Sequence, residues 1–163
     1  MTTHKMTPAE MKTIRESLGL SAQWVANQAG VKLRTVQYWE SGRNAVPDDV
    51  AQMLIGIDGQ LWGIVAQAVD QIRQAADEAG ALPEQLDLIR YRKDEDLWHF
   101  QPEFSPLPAT CHAMLLSRLI REIEPLKIPV RIIYMQSEKY ILWLDGQADS
   151  ADLRAEWASE QEI

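Results

Sequence analysis

The 163-residue sequence predicts a mainly α protein, with a bundle of short helices at its N-terminal end followed by a small α+β domain. Three observations point there. Apolar residues recur at helical spacing from Met11 to about Ala79. β-branched and aromatic residues concentrate in two short segments, "LDLIRYR" and "VRIIYM", which read as strands. Between them "PATCHAMLLSRLIREIEP" puts Met114, Leu115, Leu119 and Ile123 at helical spacing and closes on Pro125. The Gly and Pro of "AGALPE" mark a boundary, so the expected domains are residues 1–80 and residues 81–163.

Thr7 can cap a first helix, Pro8 suits its first position and Glu10 completes a capping box, giving a helix over residues 8–18 on Met11, Ile14 and Leu18. Ser21 caps the second helix, whose apolar positions are Val25, Ala26 and Ala29 before Gly30. A third helix starts after Val31, turns Val36 and Trp39 inward and stops at Gly42. The short connection between these two fits the turn of a helix-turn-helix. Pro47 then opens a longer helical stretch with Asp48 and Asp49 in its first turn. Gly56, Gly59 and Gly63 each weaken that stretch by up to about 1 kcal/mol relative to Ala, which predicts a break near residues 56–59 and two helices. "YILWL" reads equally as a short helix capped by Ser137 or as a strand beside "VRIIYM", and "SADLRAEWAS" predicts a closing helix.

Composition excludes several classes of function. No apolar run nears the roughly 18 residues of a membrane span. The start "MTTHKMTPAE" lacks the apolar centre of a signal peptide, so a cytoplasmic protein without a membrane partner is expected. Cys111 has no second cysteine to pair with, and His4, His99 and His112 show no metal-ligand spacing, so neither metal nor cofactor is expected. Cys111 and His112 are helix neighbours about 100° apart and do not face one another. With no phosphate loop or nucleophile elbow either, the chain is not read as an enzyme. The run Asp94-Glu95-Asp96, flanked by Arg90, Arg92 and Lys93, reads as a solvated loop or a self-paired face.

The net charge of −8 is unevenly placed. Over residues 1–46, Lys5, Lys12, Arg15, Lys32, Arg34 and Arg43 stand against Glu10, Glu16 and Glu40, which leaves +3 there and −11 in the remainder. A basic end on an acidic body fits a chain that meets a polyanion at one end only. A helix that enters the DNA major groove needs apolar anchors on one face and donors on the other. In "VKLRTVQYWESGR" the anchors are Val36 and Trp39. Arg34 and Gln37 are the leading base contacts, because Arg pairs with guanine O6 and N7 and Gln with adenine N6 and N7, with Leu33 and Tyr38 in support. Lys32, Thr35, Arg43, Ser21 and Gln23 lie at helix ends or beside the turn and read as phosphate contacts.

"LSAQWVANQAGVKLRTVQYWESGRNAVP" resembles the Cro and Xre class of helix-turn-helix repressors in Ala26, Gly30, Val36, Trp39 and the exit Glu40-Ser41-Gly42-Arg43. "YWESGR" followed by "AVPDDV" is similar, more narrowly, to small bacterial regulators that include anti-CRISPR-associated autorepressors. The resemblance implies a lambda-repressor-like bundle, a transcriptional repressor and a second α+β domain that makes the dimer. Residues 94–108 and the tail after Gly146 are expected to have no counterpart in that group.

One short helix reads few base pairs, so a homodimer on double-stranded DNA is expected, with half-sites roughly 34 Å apart on an inverted repeat. Leu115, Leu119, Ile132, Tyr134 and Trp143 are its candidate interface residues. The alternative is an antitoxin-like or adaptor module whose acidic second domain holds a protein partner through Trp143 and Trp157. RNA binding through the same basic face also stays open.

Overall fold

A reciprocal cap starts the chain's first helix in the computed structural model, which describes residues 4–163. Thr7 Oγ1 accepts the Glu10 N–H at 3.1 Å, and the Glu10 carboxylate accepts the Thr7 N–H at 2.8 Å, which sets the start of α1 (Pro8–Ser17). Ser21 Oγ accepts the Trp24 N–H at 2.9 Å and starts α2 (Ala22–Ala29). Three residues later comes α3 (Leu33–Ser41). Gly30 and Gly42 close α2 and α3 with φ of 69° and 83°, a left-handed conformation that a Cβ would strain. Both α1 and α2 pack on α3. Met11, Leu18, Leu20, Val25, Ala26, Val36 and Trp39 are buried there.

The break expected near residues 56–59 does not occur: α4 (Asp48–Ala79) is one helix of 32 residues. Leu54, Ile57, Leu61 and Val65 form a buried stripe at spacings of three and four residues, and its burial outweighs the cost of the glycines. Gly56, Gly59 and Gly63 lie on the opposite, exposed side, where an added Cβ would meet nothing within 4 Å. Packing divides the chain within α4, into a unit that ends at Ile64 and a second that starts at Val65, earlier than the Gly and Pro segment at residues 79–84.

The second unit contains β1 (Leu86–Arg90), α5 (Asp94–Phe100), α6 (Ala109–Ile123), β2 (Val130–Tyr134), α7 (Ser137–Leu144) and α8 (Ala151–Ser159). β1 and β2 pair in parallel, Leu86 beside Val130 through Arg90 beside Tyr134, and are the whole sheet among the described residues. The protein is therefore mainly α with a small α+β part. Both α6 and α8 pack on β1. Side chains alternate along a strand, so Asp87, Ile89, Arg131 and Ile133 share one face and Leu86, Leu88, Val130, Ile132 and Tyr134 the other. Arg131 ties its face to the end of α8, donating to Asp87 at 2.6 Å and to the Gln161 and Ala158 carbonyls at 2.9 and 3.1 Å.

Several expectations need correction. The run from Asp94 is the first turn of α5 rather than a loop, and Leu97 and Phe100 at spacing i, i+3 are its buried side. Asp94 also accepts the Ala109 N–H at 2.7 Å and so caps α6, whose own cap residue Pro108 supplies no side-chain acceptor. Of the two readings left open for "YILWL" the helical one holds, because Tyr140 and Leu144 at i, i+4 are its buried pair. Ser137 is the first residue of α7 rather than its cap, and its hydroxyl is buried without a partner. Leu115 and Leu119 are buried inside the second unit, which removes them from the surface offered to a second subunit. Trp157 is 2% exposed and cannot anchor a partner, since its indole packs edge-on against Tyr140 with ring centroids 5.6 Å apart. Trp143 is half-buried and donates Nε1–H to Glu160 at 2.8 Å.

Because α4 is continuous and Gly59 is open on its exposed side, Gly59→Ala is expected to raise the unfolding free energy by about 0.5–1 kcal/mol in urea titration. A helix broken at that position would gain nothing.

Candidate nucleic-acid interface

Val36 and Trp39 fasten α3 into the first unit, with Val36 fully buried and Trp39 nearly so. Their burial fixes which residues α3 turns outward. Leu33, Arg34 and Gln37 are exposed, and Thr35 and Tyr38 are half-buried beside them. Arg34 and Tyr38 stand one turn apart in a row, as do Leu33 and Gln37. Lys32, exposed at the N-cap, gives no side-chain cap, so the Leu33 and Arg34 N–H groups receive no acceptor from its side chain. Such a helix start, with its positive dipole end, suits a phosphate oxygen.

The other expected phosphate contacts are partly engaged. Ser21 uses its oxygen to cap α2 and keeps its hydroxyl hydrogen to donate. Gln23 gives one Nε2–H to Asn27 at 2.7 Å. Thr35 has its N–H on the Lys32 carbonyl at 2.9 Å. Arg43 follows the left-handed Gly42, and its guanidinium lies 4.2 Å from the Tyr38 ring centroid. Thus Leu33, Arg34, Gln37 and Tyr38 come together on one side of α3, with Lys32 and Arg43 at its two ends.

Arg15, counted as part of the basic surface from sequence, is instead internal. Its Nε donates to Glu40 Oε1 at 2.5 Å, its second terminal nitrogen to Oε2 at 3.1 Å and its first to the Leu20 carbonyl at 2.9 Å. The two side chains are 12% and 10% exposed. Their separation of 25 positions leaves no sequence signal for this pair. Lys12 lies 4.0 Å from Glu16 on α1. Asp48, Asp49 and Asp58 bring the six cations of the first unit to an even balance with six carboxylates, so the unit carries no general positive charge, and the cations on α3 and at its two ends are Lys32, Arg34 and Arg43. In the second unit, burial raises the Cys111 thiol to about 11, and burial with the nearby Arg154 lowers His112 to about 4, so neither is charged at neutral pH.

The sequence model of the Aca2/YdiL-like family matches residues 6–126, well over half of the chain. The Aca2 repressor of Pectobacterium phage ZF40 is 47% identical over 53 residues, which are 32% of this chain and 46% of that protein. The chain spans about half the length of that curated relative. Residues 94–108, expected to lack a counterpart, fall inside the match, whereas β2, α7 and α8 lie beyond it.

Removing one partner of a nearly buried ion pair strands the other charge. Glu40→Ala is therefore expected to cost about 3 kcal/mol, measured by thermal or urea unfolding, and Arg15→Ala about the same. A loss under about 0.5 kcal/mol, the size of a surface pair, would show that α3 is held by its apolar anchors alone.

Proposed function

The chain belongs to the Aca2/YdiL-like family, and on that premise we propose that it is a homodimeric, sequence-specific DNA-binding transcriptional regulator. It is a repressor that reads an inverted repeat with α3 in the major groove, and it acts in the cytoplasm. The observation that supports this best is the division of α3 into a buried side of Val36 and Trp39 and an outer side of Leu33, Arg34 and Gln37, with Lys32 and Arg43 at its ends. Arg34 donates to guanine, Gln37 pairs with adenine, and Leu33 touches a thymine methyl. Lys32, Arg43, Thr35, Ser21 and Gln23 set the register on phosphates. The repressor role draws on the likeness to the Aca2 repressor.

Dimerisation uses the second unit. Ile132 and Tyr134 are 44% and 42% exposed on the same sheet face as the half-buried Leu86, Leu88 and Val130. The outer edge of β2 pairs with no other strand among the described residues. An exposed edge with β-branched side chains is a ready surface for another chain, and here a second copy covers it. Trp143 belongs to this surface only at its rim, since it is half-buried against Glu160.

Two outcomes are expected. Arg34→Ala costs about 1–3 kcal/mol at one base-pair position and relaxes preference there, whereas Arg43→Ala weakens all sequences alike and lowers the salt slope by about 1. Titration against single-base operator variants at several salt concentrations separates them, and equal uniform losses for both would refute the division of roles. Ile132→Asp is expected to give monomers by light scattering at micromolar concentration. A dimer of unchanged stability would place the interface elsewhere.

A further inference from the structure

Tyr38 and Arg43 carry separate roles when α3 is read from its sequence, one toward a base and one toward a phosphate. The structure joins them. The Arg43 guanidinium carbon sits 4.2 Å from the centroid of the Tyr38 ring, well within the range of cation–π stacking. The backbone is built to bring it there. Gly42, at φ 83°, turns the chain back at the end of α3. The Asn44 N–H then closes on the Tyr38 carbonyl at 3.1 Å, and the Ser41 hydroxyl donates to the same carbonyl at 3.2 Å. One residue thus anchors the turn through its carbonyl and receives the guanidinium on its ring.

We propose that Tyr38 is a positioning residue, whose ring is the platform that orders Arg43 for a backbone phosphate, and is not itself a base reader. This rests on the DNA-reading role given above. A guanidinium has a flat face and an edge of five N–H donors. Arg15 shows the edge consumed, by Glu40 and the Leu20 carbonyl. Arg43 instead has its guanidinium carbon over a ring, a contact that uses no carbonyl or carboxylate and so leaves N–H donors for the oxygens of a phosphate. A side chain already held in place loses less rotamer freedom when it binds. With the guanidinium over its face, the Tyr38 ring is also shielded from an approaching base. The role needs an aromatic face and makes no use of the phenol hydroxyl.

Two measurements test this. In the free protein, NMR of the Arg43 δ protons is expected to show an upfield ring-current shift that Tyr38→Phe keeps and Tyr38→Leu abolishes. In binding, the probe is a duplex that the wild-type protein selects from a random library, together with its single-base variants. Tyr38→Phe is expected to bind as wild type. Tyr38→Leu should weaken every duplex by about two- to fivefold without altering base preference, and should add nothing to Arg43→Ala in the double variant. Tyr38→Leu losses confined to one base pair, additivity with Arg43→Ala, or no ring-current shift in the wild type would each overturn the proposal. If the wild type selects a duplex and Tyr38→Leu binds it unchanged, the platform fails alone. If the wild type selects nothing, the regulator reading fails and the platform loses its purpose with it.

Discussion

The pose of α3 depends on the Arg15–Glu40 pair. Arg15 stands in the last turn of α1, where a cation also favours the negative end of the helix dipole. Glu40 stands in the last turn of α3, next to the buried Trp39. The remaining donor of Arg15 reaches the Leu20 carbonyl, at the entrance to α2. One guanidinium therefore ties the end of α1, the start of α2 and the end of α3. Apolar burial at Val36 and Trp39 sets which side of α3 is inside, but apolar contact is not directional. The fixed fork geometry of the pair adds the direction.

The same pair shapes the field of the first unit. By cancelling Arg15 against Glu40 in the interior, it confines the positive charge near α3 to Lys32, Arg34 and Arg43. The acidic second unit, at a net −8, is repelled by a polyanion and discourages indiscriminate binding. The second unit is held differently, by an aromatic cluster. Tyr140 is fully buried, packs edge-on against Phe100 and Trp157, and hands its hydroxyl to Asp149 at 2.5 Å. This core and the Arg131 clamp draw on β2, α7 and α8, which lie beyond the family match. Those elements are integral parts of the unit.

Much of this was legible in the sequence where the signal is local. The caps at Thr7 and Ser21, the exits at Gly30 and Gly42, both strands and the inward pair Val36 and Trp39 follow from residue type and spacing within a few positions. What escaped depends on distant partners. Glycine cost alone suggested a broken α4, while the competing burial of Leu54, Ile57, Leu61 and Val65 requires knowing what the helix packs on. Asp94 looked like solvated charge because the N–H it caps lies 15 residues away. Arg15 and Glu40 were counted as surface charges for the same reason. The exposed residues of α3 were legible from its period, whereas the Tyr38–Arg43 stack needed the left-handed turn between them.

The central claim is that α3 reads DNA sequence. Its most direct test is binding of the purified protein to the region upstream of its own gene, against a scrambled duplex of equal length, at about 150 mM salt where weak non-specific binding is suppressed. The account predicts a preference for the native duplex of about a thousandfold or more. Equal, weak binding to both duplexes would contradict it.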